Sequence, residues 1–206
     1  MRRFLILAHR VPATGQFTLN DLAGGGGRMD EIARSVSTAF TVSNDLRRDT
    51  ELTILFAAEP GTAARRIVLD GRRLRYLNPD ERSTAALLKN ALVRAAGLSA
   101  DLEASPGLTV GPVDALAALR GFGTAPELVW LTEGGSPLRD WRPGTSTFAA
   151  VLSDPYDPTP EEQAVLTAAG ATPISVGPRS IRTSQCIDIV HNEFDRREAT
   201  APRSGE

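Results

Sequence analysis

Ile174-Ser175-Val176-Gly177-Pro178-Arg179-Ser180-Ile181 is the stretch on which the reading of this 206-residue chain turns. Residues 174–176 suit a short buried strand, and Gly177-Pro178 ends it. The rest feeds a segment in which Cys186, Ile187, Val190 and Phe194 share one face of a helix. The same grammar occurs twice just upstream. The strand-like segment 127–131 runs into Leu131-Thr132-Glu133-Gly134-Gly135, and residues 148–152 run into Ser153-Asp154-Pro155. Each is a strand followed by a small, polar loop, and open α/β sheets bind ligands outside the carboxyl ends of their strands. Composition alone would equally allow three ordinary turns.

Working outward, residues 4–8 form a near-continuous apolar run, as expected of a strand covered on both faces. Gly24-Gly25-Gly26-Gly27 leads into apolar positions Met29, Ile32, Ala33, Val36 and Phe40, whose spacing predicts a helix over about 29–42. A strand is predicted at 52–57. Residues 67–69 and 74–76 flank Asp70-Gly71, a hairpin signal. Asn78-Pro79-Asp80-Glu81 reads as a helix start, with Asn78 as cap and Pro79 in the first turn, and Gly97 as the stop. Thr159-Pro160-Glu161-Glu162 opens a second helix of that kind, and 113–119 a short one. Residues 137–146 read as a loop and 198–206 as a frayed tail. Strands alternating with helices predict an α/β fold with a largely parallel sheet, in one domain spanning 1–206.

Composition excludes little. Hydrophobic residues are 41% and charged residues 23%, the balance of a globular protein. A net charge of −2 supplies no global field for nucleic acid, so any RNA contact has to come from a local basic face. Cys186 is the only cysteine, which rules out an internal disulfide and suits a reducing compartment. The apolar run after Arg2-Arg3 is too short to span a bilayer and lacks a cleavage pattern. Nucleotide motifs fail on their own terms. A phosphate loop needs a Gly-Lys-Ser/Thr ending, and the single lysine is Lys89, mid-helix. The dinucleotide fingerprint finds Met29 in its third glycine position, or Pro126 after Gly121. His9, His191 and Cys186 give no zinc spacing, so no metal is expected. Cys186 and His191, five apart on one helix, sit on poorly aligned faces for a nucleophile pair.

The three C-terminal loops, in this order, resemble the cofactor-binding elements of SPOUT methyltransferases, and more narrowly the chain resembles the TrmY family. The likeness spans nearly the whole length. It is carried by Gly27-Arg28-Met29-Asp30, by Val42-Ser43-Asn44-Asp45-Leu46-Arg47-Arg48-Asp49, by Leu77-Asn78-Pro79-Asp80-Glu81-Arg82 and by Ser105-Pro106-Gly107. Ser175-Val176-Gly177-Pro178, Cys186-Ile187 and His191-Asn192 complete it. The resemblance implies a SPOUT-type fold with a deep trefoil knot over about 127–197, and S-adenosylmethionine held in a bent shape. The implied reaction is methylation of N1 of pseudouridine in the tRNA T loop (position 54). It implies cofactor contacts at Leu131, Ser153, Val176, Gly177, Pro178, Arg179, Ser180, Ile181 and Cys186. Asn44 stands where archaeal members usually carry histidine, and Thr183 and Gln185 also depart from their pattern.

On the substrate side the candidates are Arg28, Asp45 and Arg47. The arginines would hold phosphate or pyrimidine carbonyls, and Asp45 would orient the base or take its proton. Asp45 and Arg47 suit a structural ion pair equally well, and Asp80 and Glu81 are better explained by the helix start. Cys186 is expected to pack beside the adenine rather than react. The family implies a cytoplasmic homodimer acting on RNA, without membrane or DNA as partners. Two readings stay open beside tRNA methylation: a pseudouridine of ribosomal RNA, and a non-catalytic RNA-binding protein that keeps the knot.

Overall fold

The computed structural model describes residues 1–123, 127–145 and 147–200. Thr124, Ala125, Pro126, Ser146 and 201–206 lie outside them, including parts of the expected 137–146 loop and of the tail.

The strands β1 (Arg2–Ala8), β2 (Thr50–Phe56), β3 (Arg65–Asp70), β4 (Leu102–Ser105), β5 (Leu108–Pro112), β6 (Leu128–Pro137), β7 (Phe148–Ser153) and β8 (Thr172–Ser175) make one sheet. Their order is β4-β5-β3-β2-β1-β7-β6-β8. From β2 to β8 neighbouring strands run parallel, and β3, β5 and β4 continue antiparallel. The helices are α1 (Met29–Phe40), α2 (Glu81–Ala95), α3 (Ala115–Phe122), α4 (Pro160–Ala168) and α5 (Thr183–Thr200).

β1 shows why the apolar run at the start does not alternate. Phe4, Ile6 and Ala8 join a core that includes Ile32 and Val36 of α1, Leu88 of α2 and Ile187 of α5. Leu5 and Leu7 join a second core with Leu119 of α3 and Leu166 of α4. Helices cover both faces of the central strand, so both faces are apolar. The reversal of strand order falls between β1 and β7, at the carboxyl ends of the parallel strands.

Two expectations are corrected. The hairpin at Asp70-Gly71 does not form. β3 pairs instead with β5, which meets β4 across the Ser105-Pro106-Gly107 turn. The Gly71 N–H donates to the Thr50 carbonyl (2.9 Å), and a Cβ at Gly71 would lie 2.2 Å from the Arg47 carbonyl oxygen. That glycine serves a close approach to the preceding loop, and Leu74 is buried in the core rather than paired in a strand. The α2 cap is Asp80, not Asn78. The Asp80 carboxylate accepts from the Ser83 N–H (2.8 Å), while the Asn78 carbonyl accepts from the Thr84 hydroxyl. α4 starts as its sequence reads. Thr159 and Glu162 form a reciprocal capping box, with Pro160 in the first turn.

Candidate active site

The approach to the site begins before α1. Gly27 (φ +60°) and Arg28 (φ 75°, ψ 28°) are consecutive left-handed residues. That conformation costs a non-glycine residue about 1–2 kcal/mol. Asp21 supports the turn by accepting from the Gly24 and Gly25 N–H groups (2.9 and 2.7 Å). Arg28 thereby comes to the rim of a cavity and donates twice to Asp30 (2.9 and 3.0 Å).

That cavity, of about 580 Å³, opens at the carboxyl ends of β7 and β8 and beside the middle of β6. Such a volume lies in the range of small-molecule sites. The β6 wall is more than a loop. Leu131 and Ser136 both pair with Ile174, so residues 132–135 bulge out of the strand. Gly135 closes the bulge, because a Cβ there would stand 2.5 Å from the Ile174 nitrogen. The β8 wall is shaped by Ser175, whose hydroxyl donates to the Gly177 carbonyl (2.7 Å) and accepts from its N–H (3.2 Å). α5 then begins under two caps. Gln185 accepts from the Arg182 N–H (3.0 Å), and Glu31 of α1 accepts from the Ser184 N–H (2.8 Å).

Of the residues expected to touch a cofactor, Leu131, Ser153, Val176, Gly177, Arg179, Ser180, Ile181 and Cys186 all line this one cavity. Pro178 lies in the same loop without lining it. Leu131, Leu152, Val176 and Ile181 supply apolar surface suited to a purine. Glu31, Glu133 and Asp157 bring carboxylates, and Arg28, Arg179 and Arg182 bring guanidinium groups. Apolar wall and both charge signs fit a donor that carries an adenine, a sulfonium and an amino acid end.

Cys186 is chemically quiet. Burial, and then the carboxylates of Glu133 and Glu31, push its thiol up to about 11, so it stays protonated. His191 does not reach it. Burial and the nearby Arg47 and Arg2 push the imidazole down to about 3. The neutral ring packs against Phe4, its Nε2–H donating to the Ala39 carbonyl (3.1 Å) while Nδ1 accepts from Arg2 (3.1 Å).

The substrate-side candidates are not brought together. Arg28 lines the cavity; Asp45 and Arg47 do not. Nor do the latter two pair with each other. Arg47 forks onto Asp195 of α5 (3.0 and 2.6 Å), which Arg2 also contacts (2.6 Å). Partial burial would raise the Asp195 carboxyl, yet Arg47 and Arg2 hold it at about 2. Asp45 is exposed, accepting from the Leu46 N–H and from Arg48 (2.6 and 3.0 Å). Those bonds keep its carboxyl below the usual range.

Sequence reasoning missed Glu31, which is 1% exposed and lines the cavity. The available signal was its place one turn before Ser35, a second polar residue on the buried side of α1. Among the described residues no group of three or more His, Cys, Asp or Glu side chains is placed to hold a metal ion. No helix among them is long and apolar enough to cross a membrane.

Comparison with known proteins bears on this geometry directly. Residues 1–199 match the family model described as "Putative SAM-dependent RNA methyltransferase". The chain belongs to this family. It is 43% identical to the tRNA (pseudouridine(54)-N(1))-methyltransferase of Methanocella arvoryzae, over 96% of this chain and 100% of that protein. The protein of the same name from Haloferax volcanii is 34% identical, over 95% of this chain and 96% of its own length. In fold, this member of the family is similar to Archaeoglobus fulgidus Nep1 bound to S-adenosylhomocysteine. The TM-score is 0.65 at 13% identity, covering 96% of this chain and 98% of that one. That likeness agrees with the α/β fold and largely parallel sheet expected from the sequence.

Proposed function

We propose that this chain methylates N1 of a pseudouridine in tRNA, at position 54, using S-adenosylmethionine bound in the cavity at the ends of β7 and β8 and beside β6. The observation that carries the reading is the convergence of eight expected contact residues on that one cavity, in a chain that matches its relatives end to end. The donor supplies an electrophilic methyl group on a sulfonium. What remains for the protein is alignment of the ring nitrogen with that methyl and removal of the N1 proton. The apolar surface of Leu131, Leu152, Val176 and Ile181 holds the purine and excludes water on that side. In this reading Arg28, which lines the cavity rim, meets the incoming base, and its charge favours the anion formed when the proton leaves. The strained backbone that presents it agrees with such a role.

We further read residues 1–206 as one methyltransferase domain whose segment 127–197 is threaded as a knot, and the enzyme as a cytoplasmic homodimer. Ile181 at the cavity and Ile189 on α5 are more than a third exposed, which supports a second copy packing there. Asp45 and Arg47, remote from the cavity of their own chain, would act on substrate only across such an interface. Sedimentation of the pure chain is expected to give twice its 22.0 kDa mass. A 22.0 kDa species at every concentration would remove the dimer.

The decisive assay follows tritiated methyl transfer to tRNA with and without pseudouridine at position 54. Transfer only to the pseudouridine form is expected. Arg28→Ala should lower the rate about tenfold while leaving donor affinity within about twofold, as for loss of one charge-assisted contact to the reacting base. Donor binding without transfer to either tRNA would refute the enzyme and favour an RNA-binding protein. Transfer to ribosomal RNA alone would move the substrate.

A further inference from the structure

His9 directly follows β1, hydrogen-bonds Asp154 of the cavity wall and has no place in the reaction described above. The loop from Asp154 to Thr159 forms part of the cavity wall through Asp154, Pro155 and Asp157, next to Ser153 at the end of β7. Asp154, at its start, has a fully buried side chain. Its carboxylate accepts from the His9 N–H (2.7 Å), from His9 Nδ1 (2.8 Å) and from the Tyr156 N–H (3.1 Å). Just past the end of the loop, Glu162 accepts from the Thr159 N–H (2.7 Å) and from His9 Nε2 (3.0 Å). One imidazole ring therefore joins the first residue of the loop to the capping box that closes it.

We infer that His9 is a positioning residue for the donor site, its ring clamping both ends of the loop that forms the β7 wall of the cavity. The inference rests on the proposed donor site and assigns His9 no contact with donor or substrate. Both acceptors are carboxylates, so both ring nitrogens donate and the clamped ring is an imidazolium. Asp154, then Glu162, raise its pKa to about 9 against the opposing effect of burial. The other ionisable groups nearby are Arg10 on the same chain segment, Tyr156 and Asp157 in the loop, Asp114 before α3, Glu161 on α4, and Arg28 across the cavity. A folded-state pKa raised above 6.5 means the clamp contributes fully below pH 6.5 and is lost as pH rises through about 9.

The test uses the whole chain with S-adenosylhomocysteine as probe, comparing wild type with His9→Gln and Glu162→Gln. Glutamine at 9 can engage only one carboxylate at a time, and glutamine at 162 keeps the capping box but loses the ionic arm. Hydrogen exchange of the free protein is expected to speed up about tenfold at the amides of 154–159 in His9→Gln, with α1 and α2 unchanged. Calorimetry from pH 6 to 10 should show wild-type affinity falling about fivefold more than that of His9→Gln, which starts weaker and runs flatter. The probe's own amino group titrates equally in both, so the difference between profiles carries the result. Glu162→Gln should fall between them. Wild-type binding matched by both variants at every pH, with unaltered exchange, would overturn the inference alone. A wild type that takes up no probe would overturn the donor site and the inference with it.

Discussion

Gly27→Ala is expected to leave the chain unfolded or several kcal/mol less stable, while Gly61→Ala costs only about 1–2 kcal/mol. Both glycines are left-handed, at φ +60° and +78°. A Cβ at Gly61 would meet nothing within 4 Å, so only the backbone preference is lost. A Cβ at Gly27 would lie 1.9 Å from the Arg10 carbonyl oxygen and 2.6 Å from its carbon. Neither atom can rotate away, because Arg10 continues directly from β1 and the clamped His9. Relief would require α1 to move off the sheet, and α1 carries Met29, Ile32 and Val36 into the core with no exposed surface. Urea unfolding of the two variants measures the contrast directly. Equal losses would mean that the backbone of 26–28 does not press on the end of β1 as described.

The second large effect is on binding without an effect on folding. Gly177→Leu is expected to weaken S-adenosylhomocysteine binding about a hundredfold, equivalent to filling part of a well-packed site. The melting temperature should stay within about 2 °C of wild type. Gly177 lines the cavity, its φ is outside the left-handed region, and a Cβ there meets no atom within 4 Å. The larger side chain thus strains nothing in the free protein and competes only with a ligand. Calorimetry for affinity and differential scanning for stability separate the two quantities. Unchanged affinity with unchanged stability would detach this loop from the donor site.

The cavity loops could be read from the chain because their signals are local. A strand of apolar residues followed by a loop with a glycine or proline stop recurs three times between 127 and 194, the second and third leading into a helix, and the comparison of fold bears out the α/β architecture they implied. Even so, 132–135 proved to be a bulge within β6, since nothing in Leu131-Thr132-Glu133-Gly134-Gly135 says that pairing resumes with β8 afterwards. β4 and β5 escaped notice for a similar reason. Ser105-Pro106-Gly107 entered only as part of the family likeness, and short flanks interrupted by Gly111 and Pro112 resemble loops until β3 is there to pair with one of them. The competing Asp70-Gly71 signal was genuine turn chemistry put to a different use.

Side-chain roles divide along the same line. Helix caps such as Thr159 with Glu162 are set by residues three apart, and so follow from the sequence. Arg47 meets Asp195 across 148 positions, and His9 meets Asp154 and Glu162 across 145 and 153. A guanidinium or imidazole would accept any carboxylate, and 25 acidic residues offer themselves in this chain. Residue types and periodicity therefore marked the helices and the parallel strands with the loops that follow them, though not β4 and β5. Only the strand order, which sets β1 beside β7 and lays α5 along α1, decided which charges meet, because the energy of an ion pair depends on separation in space and not along the chain.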